Sequence, residues 1–338
     1  MTTDAVTGAT SYTGRFIAER LVAAGRNVLD LTRDPRVPHP LGETVASVPL
    51  DFDHPDRLAQ ALEGVDVLYN TFWIRFERGP ITHAWAIERS RILFAAAQRA
   101  GVRRIVHISV INAAHDAPTA YFRAKATAED ALKGSGVSYA IVRPTVTFGP
   151  GDILLNNLAW TLRRLPVFGM PGDGRYPIQP VHVEDIAEIA VRAGSLTEQA
   201  VQDAAGPDTF SFREFVTLVR KAVGSRALVV PVPVGAALVA ARLIGLVVHD
   251  VVLTRDEVTE LQARLMRSSA PPAGRIHLAD WLAANADTLG RRWASELDRH
   301  FRGSAPVEGI GSLTRVPKGE PYDEVHESEE ERRRDDDV

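Results

Sequence analysis

The stretch Val6-Thr-Gly-Ala-Thr-Ser-Tyr-Thr-Gly-Arg-Phe-Ile-Ala-Glu-Arg-Leu-Val-Ala-Ala-Gly-Arg-Asn-Val-Leu-Asp-Leu-Thr-Arg33 reads as a strand, a tight turn, a helix and a second strand. Gly8 permits the turn, and Gly14 lets the helix pack close to the strand. Phe16, Ile17, Leu21 and Val22 recur with the helical period, and Gly25 ends the helix. Unpaired amides at a helix N-terminus attract anions, so Gly8, Thr10, Ser11, Tyr12, Thr13 and Gly14 are candidate contacts to the pyrophosphate of a dinucleotide. Ser11 stands where the middle glycine of this pattern belongs. Its side chain either crowds the pyrophosphate or binds it through the hydroxyl.

The alternation continues outward. Strands are expected at 45–50, 65–69, 104–109 and 138–143, and helices at 57–62, 85–100 and 121–133. That repeat specifies an α/β fold, a doubly wound parallel sheet with its ligand at the strand carboxyl ends. The residues after those ends are Arg33, Asp51 with Phe52, Asn70 with Thr71 and Phe72, Ser109, and Pro144 with Thr145 and Val146. All are candidates to line a long cofactor. At the second strand tip Thr32 replaces the acid that holds ribose hydroxyls in NAD sites, and Arg33 offers a fork for a 2′-phosphate. Asp30 falls below the site. NADP(H) is the expected cofactor, with NAD(H) as the alternative.

Composition removes other classes. The chain has 338 residues, a net charge of −4 and no Cys. It has no basic field for nucleic acid, no disulfide framework, no thiolate metal site and no Cys nucleophile, and no metal is expected. Only Met-Thr-Thr-Asp precede the first strand, which reads as no room for a signal peptide and hence a cytoplasmic protein. Residues 234–248 are the most apolar segment, too short for a transmembrane span. They read as a buried helix; the alternative is a contact with a membrane surface or a protein partner. Residues 303–338, ending in runs of like charge, read as a solvated, disordered tail. Nothing in the sequence bears on oligomeric state.

Tyr121-Phe-Arg-Ala-Lys125 places Tyr and Lys on one helix face. Only four of the 39 basic residues are Lys, so this one is conspicuous. A nearby ammonium is expected to pull the phenol below its ordinary pKa of about 10. Tyr121 can then exchange a proton with a substrate oxygen, and Lys125 can also hold the nicotinamide ribose.

These features resemble the short-chain dehydrogenase/reductase superfamily. Val142-Arg-Pro-Thr-Val-Thr-Phe-Gly-Pro-Gly-Asp152 and Pro180-Val-His-Val-Glu-Asp185 are similar to signatures of its extended and atypical branches. Residues 4–302 resemble the NAD(P)-binding epimerase/dehydratase-like proteins related to the 39 kDa accessory subunit of mitochondrial complex I. The resemblance implies a Rossmann domain from residues 1–145 and 178–205. It also implies a smaller, mainly helical C-terminal substrate domain from 146–177 and 206–302. It makes Tyr121, Lys125 and Ser109 the catalytic set, with Asn156, Asn157, Trp160 and Arg175 as candidate substrate contacts. Ser109 stands early for its role, with Ile111 in the slot where the family has Ser or Thr. The expected function is an NADP-dependent oxidoreductase or epimerase acting on a small hydroxyl or carbonyl compound, sugar nucleotides included. The alternative is a non-catalytic NADPH-binding accessory or sensor protein.

Overall fold

The computed structural model of the protein describes residues 2–36 and 39–299. The charged tail expected over 303–338 lies outside them. In the first half, short apolar runs and glycine-ended helices alternate as the sequence predicts. They are β1 (Thr3–Thr7), α1 (Tyr12–Ala23), β2 (Asn27–Thr32), β3 (Val45–Pro49), α2 (Pro55–Ala61), β4 (Val65–Asn70), α3 (His83–Arg99), β5 (Arg104–Ile108), α4 (Ala120–Lys133) and β6 (Ser138–Pro144). The chain then passes through β7 (Val146–Phe148), α5 (Ile153–Arg164), β8 (Val167–Pro171), β9 (Pro177–Ile178), β10 (Pro180–His182), α6 (Val183–Ser195) and β11 (Ala200–Ala204). It ends in β12 (Phe210–Ser211), α7 (Phe212–Ala222), β13 (Leu228–Val232), α8 (Val234–Val248), α9 (Arg255–Gln262) and α10 (Leu278–Asn285).

Seven strands form one sheet in the order β11-β6-β5-β4-β1-β2-β3, every pair parallel. The order reverses between β1 and β4, the switch point at which such sheets open a ligand crevice. The pleat sends successive side chains to opposite faces. Val67, Tyr69, Val106, Ala140 and Val142 pack with Phe16, Ile17 and Leu21 of α1 and Ile186 and Ile189 of α6. Leu68, Ile105 and Ile141 pack on the other face with Leu58 of α2, Leu93 and Phe94 of α3 and Leu132 of α4. Full burial of each large apolar side chain contributes about 1.5–3 kcal/mol, which fixes the strand register. A third core joins Leu155, Leu158 and Leu162 of α5 to Phe215 and Val219 of α7 and Leu278 and Leu282 of α10.

One expectation fails. Residues 234–248 are helical but not buried: α8 buries only Ala237 and Ala241, while Leu246 and Val247 stand 73% and 74% exposed. Its small residues face the protein and its large ones face outward, an orientation that overall apolarity does not reveal.

Candidate active site

The glycine turn is built by its own backbone. Gly8 adopts φ +67°, its amide donates to Leu31 O at 2.8 Å, and its carbonyl accepts from Ser11 N at 2.8 Å. Asp30 lies beneath the turn, as expected, and accepts from Ala9 N at 2.6 Å. A Cβ on Gly14 would meet Gly8 O at 2.1 Å, so only glycine allows α1 to approach β1 this closely. The first helical hydrogen bond runs from Arg15 N to Ser11 O, which leaves the amides of Tyr12, Thr13 and Gly14 without a helical acceptor. Ser11 is the N-cap but makes no side-chain cap bond; its Oγ lies 3.5 Å from Thr71 Oγ1. This donor set fits a pyrophosphate. Thr10 is exposed beside it. Tyr12 packs edge-on against Phe16, and its buried hydroxyl has no partner. Burial and the neighbouring Asp152 push that phenol well up.

The other strand tips divide into outward-facing and inward-facing residues. Arg33 is exposed beyond β2. Asp51 shapes its own turn, accepting from Asp53 N at 3.1 Å and His54 N at 3.2 Å. Phe52 packs on Phe72 at 5.0 Å, Phe72 on Trp85 at 5.8 Å, and the Arg89 guanidinium lies 4.8 Å over Trp85. Together they form an aromatic wall of tilted rings. Asn70 is fully buried, and its side chain serves the sheet. Thr7 Oγ1 accepts from Thr71 N and Phe72 N, so its proton goes to Asn70 Oδ1. Asn70 Nδ2 therefore donates to His107 Nδ1 at 3.0 Å, which makes His107 a neutral Nε2–H tautomer. Burial, reinforced by the charge of Lys125, holds His107 well below the usual histidine range. At the tip of β6, Pro144 O accepts from Ile111 N, and Thr145 N donates to Ala204 O. Val146 pairs with Pro180. Thr145 Oγ1 is buried without a partner, an orphan hydroxyl where the nicotinamide end of a dinucleotide would lie.

Tyr121 and Lys125 stand on one face of α4 with different surroundings. Lys125 is 2% exposed; its Nζ donates to Ile108 O at 3.0 Å and lies 4.3 Å over the Trp73 ring. Burial pushes this ammonium down to about 7. The Tyr121 ring meets Trp73 and His83 edge-on at 6.5 and 5.9 Å. Trp73 stacks on His83 at 6.4 Å. Trp73 Nε1 and both ring nitrogens of His83 are buried without a hydrogen-bond partner; His83 Nδ1 is 3.5 Å from Glu77 Oε1. The expected depression of the phenol by Lys125 is not found. Burial, then the Glu260 carboxylate, push Tyr121 up, so it keeps its proton. Ser109 does not join this group. Its hydroxyl donates to Glu129 Oε1 at 2.6 Å, and Arg143 Nε donates to the same oxygen at 2.8 Å. Ile111, in the family's hydroxyl slot, is buried and apolar.

The C-terminal segment covers Tyr121. Arg75, in the loop after β4, pairs with Glu257 and with Glu296. Thr119 Oγ1 donates to Glu260 at 2.8 Å, and burial lifts that carboxyl to about 7. Asn112 Nδ2 donates to Leu265 O and Arg267 O. Asp250 accepts from Trp293 Nε1, Glu296 N and Leu297 N. Asn156 and Asn157, expected at a substrate, instead donate to Arg292 O and Ala294 O and accept from Gly290 N and Ala294 N. Trp160 packs on Trp293, and Arg175 is exposed beside Asp173. Sequence reasoning missed Arg75, His83 and Glu260. Arg75 and Glu257 are 182 positions apart, beyond any periodicity. His83 had a local signal: Thr82 caps α3 by accepting from Trp85 N, which starts the helix before Trp85.

Comparison with known proteins agrees with this fold. A family model described as NAD(P)H-binding matches residues 8–151. A Streptomyces griseus (4-alkanoyl-5-oxo-2,5-dihydrofuran-3-yl)methyl phosphate reductase is 31% identical over 225 residues, 65% of this chain and 73% of the relative. The Arabidopsis thaliana mitochondrial NADH dehydrogenase [ubiquinone] 1 alpha subcomplex subunit 9 is 26% identical over 251 residues, 70% of this chain and 62% of the relative. The chain spans less than two thirds of the length of such mitochondrial relatives. The fold matches an NADPH-dependent quinone oxidoreductase from Escherichia coli complexed with NADPH, with a TM-score of 0.66 at 19% identity over 83% of this chain and 98% of that one. The chain belongs to the extended, short-chain-dehydrogenase-like family of NAD(P)-binding proteins.

Proposed function

We propose that the protein is an NADPH-dependent reductase in which Tyr121 protonates the carbonyl oxygen of a small-molecule substrate. The observation that carries this reading is the half-buried Tyr121 ring set edge-on against Trp73 and His83, whose buried ring nitrogens have no hydrogen-bond partner. Hydride addition to a carbonyl leaves an alkoxide more basic than a phenolate, so a protonated Tyr121 can give its proton to that oxygen. When bound, the dihydronicotinamide supplies the hydride. The amides of Tyr12, Thr13 and Gly14 receive the pyrophosphate, Arg33 the 2′-phosphate, Thr145 Oγ1 the nicotinamide amide, and Lys125 the adjoining ribose. Trp73 Nε1 takes over the polarising role that Ser109 has given up to Glu129. Residues 146–177 and 206–302 supply the substrate side, with the 250–299 segment keeping water from Tyr121.

A second reading rests on Ser109 and Ile111: with no hydroxyl in the family's slot, the chain binds NADPH as a structural or sensing ligand. One measurement tests the cofactor common to both readings, and a second distinguishes them. Calorimetric titration should give tighter binding of NADPH than NADH, and Arg33→Ala should cost about 1.5–3 kcal/mol toward NADPH alone. Equal affinities in the wild type would remove the NADP assignment. NADPH absorbance should then fall in the presence of ketones, aldehydes or quinones. Tight NADPH binding with no turnover on any of them, sugar nucleotides included, favours the second reading.

A further inference from the structure

Most of the large apolar side chains left exposed lie on one module. Val167 of β8, Leu228 of β13, and Val239, Leu243, Leu246 and Val247 of α8 are between 45% and 74% exposed. β13 pairs with β8 in register, setting Leu228 beside Val167, and α8 packs on β8. On α8 the spacing of residues 239, 243, 246 and 247 puts all four on one helix face, with exposed Arg242 on its rim. A contiguous outward patch of this kind is uncommon on a soluble protein and marks an interaction surface.

The segments that build it carry charge of one sign. The chain is net −4, yet residues 153–172 and 215–249 contain no Asp or Glu. They contain Arg163, Arg164, Arg220, Lys221, Arg226 and Arg242. Exposed Arg164 and Arg226 precede Val167 and Leu228, and line a groove of about 600 Å³ with exposed Arg291. The first acid after α8, Asp250, is buried and occupied by Trp293, Glu296 and Leu297. Among the described residues no helix is long and apolar enough to cross a membrane.

We propose that α8 docks on an anionic lipid surface, lying in the plane of the headgroups. Val239, Leu243, Leu246 and Val247 enter the acyl boundary while Arg226 and Arg242 meet the lipid phosphates. An apolar face bordered by cations and free of acids has the chemistry of an interfacial helix. A protein partner or a second copy would need acids on its own surface to match the same arginines, and this chain's copy of the surface has none to offer.

Flotation of the full chain with vesicles of phosphatidylcholine alone, or mixed with phosphatidylglycerol, tests this. The wild type should float with the mixed vesicles, and salt should weaken the association. A Val239→Asp/Leu246→Asp variant should lose at least tenfold in partition. An Arg226→Glu/Arg242→Glu variant should lose about fivefold or more for each arginine, on anionic vesicles only. All four side chains are exposed, so melting temperatures should match the wild type. Absence of flotation with either vesicle overturns the proposal. So does sedimentation equilibrium showing a dimer that Leu246→Asp breaks, because a second copy then covers α8.

Discussion

The glycine turn and the C-terminal cover are held together by different physics. The turn is local: backbone bonds of Gly8, Ser11 and Leu31 and the Asp30 carboxylate close it inside a single strand–helix–strand unit. The cover depends on bonds between distant positions, including Arg75 to Glu257 and Glu296, Asn112 to Leu265, and Asn156 to Arg292. A short motif is enough to specify the first region. The second exists only once the whole chain has folded, and its bonds fall on polar residues that look like ligand contacts in isolation.

If that division is real, mutations should separate the regions. Arg75→Ala leaves Glu257 and Glu296 without their cation in a poorly hydrated place, and should cost on the order of 3 kcal/mol. Thermal melting should show the loss, while NADPH affinity at the distant turn changes less than about twofold, or roughly 0.4 kcal/mol. Gly14→Ala should do the reverse. Its Cβ meets Gly8 O at 2.1 Å, so α1 must move, costing about 1–3 kcal/mol of stability and most of the NADPH affinity. Comparable losses of affinity from both variants would erase the distinction.

Smaller effects sharpen it. Asn156→Ala removes bonds to Arg292 O and Gly290 N and should lower stability by about 1–2 kcal/mol without changing the cofactor affinity. A change in KM with unchanged melting would return Asn156 to the substrate. The pH dependence gives a further separation. Glu260 is raised to about 7 in the folded protein, so the stability it contributes is full below its unfolded value of 4.5 and is lost as pH rises through 7. Lys125 is lowered to about 7, so its contribution grows as pH rises from 7 toward 10.5. Denaturation across pH should therefore show two opposed limbs. Glu260→Gln should flatten the acid limb and Lys125→Met the alkaline one, each by at most about 1.4 kcal/mol per pH unit.

The same division explains what the sequence made legible. Apolar runs, helix periodicity and glycine stops locate β1 to β6 and α1 to α4 to within a few residues, while β11 and α6 are not announced by them. Strand tips announced the aromatic wall of Phe52 and Phe72. The failures share one cause, the direction of a side chain. Asn70 follows a strand tip as a ligand contact would, but turns into the sheet toward His107. Ser109 has the right chemistry near the right strand, but faces Glu129. Residues 234–248 are apolar enough for a core, but present Ala237 and Ala241 inward and Leu246 and Val247 outward. Periodicity assigns a face; only the tertiary neighbours decide what covers it.

The central claim is that Tyr121 delivers the proton. Single-turnover oxidation of bound NADPH, with the best carbonyl substrate found for the wild type, tests it most directly. Tyr121→Phe removes one hydroxyl from a ring still packed by Trp73 and His83. NADPH affinity and melting temperature should stay within error, while the hydride-transfer rate falls about 10²–10⁴-fold. A Tyr121→Phe protein that binds NADPH normally and oxidises it at the wild-type rate would contradict the claim.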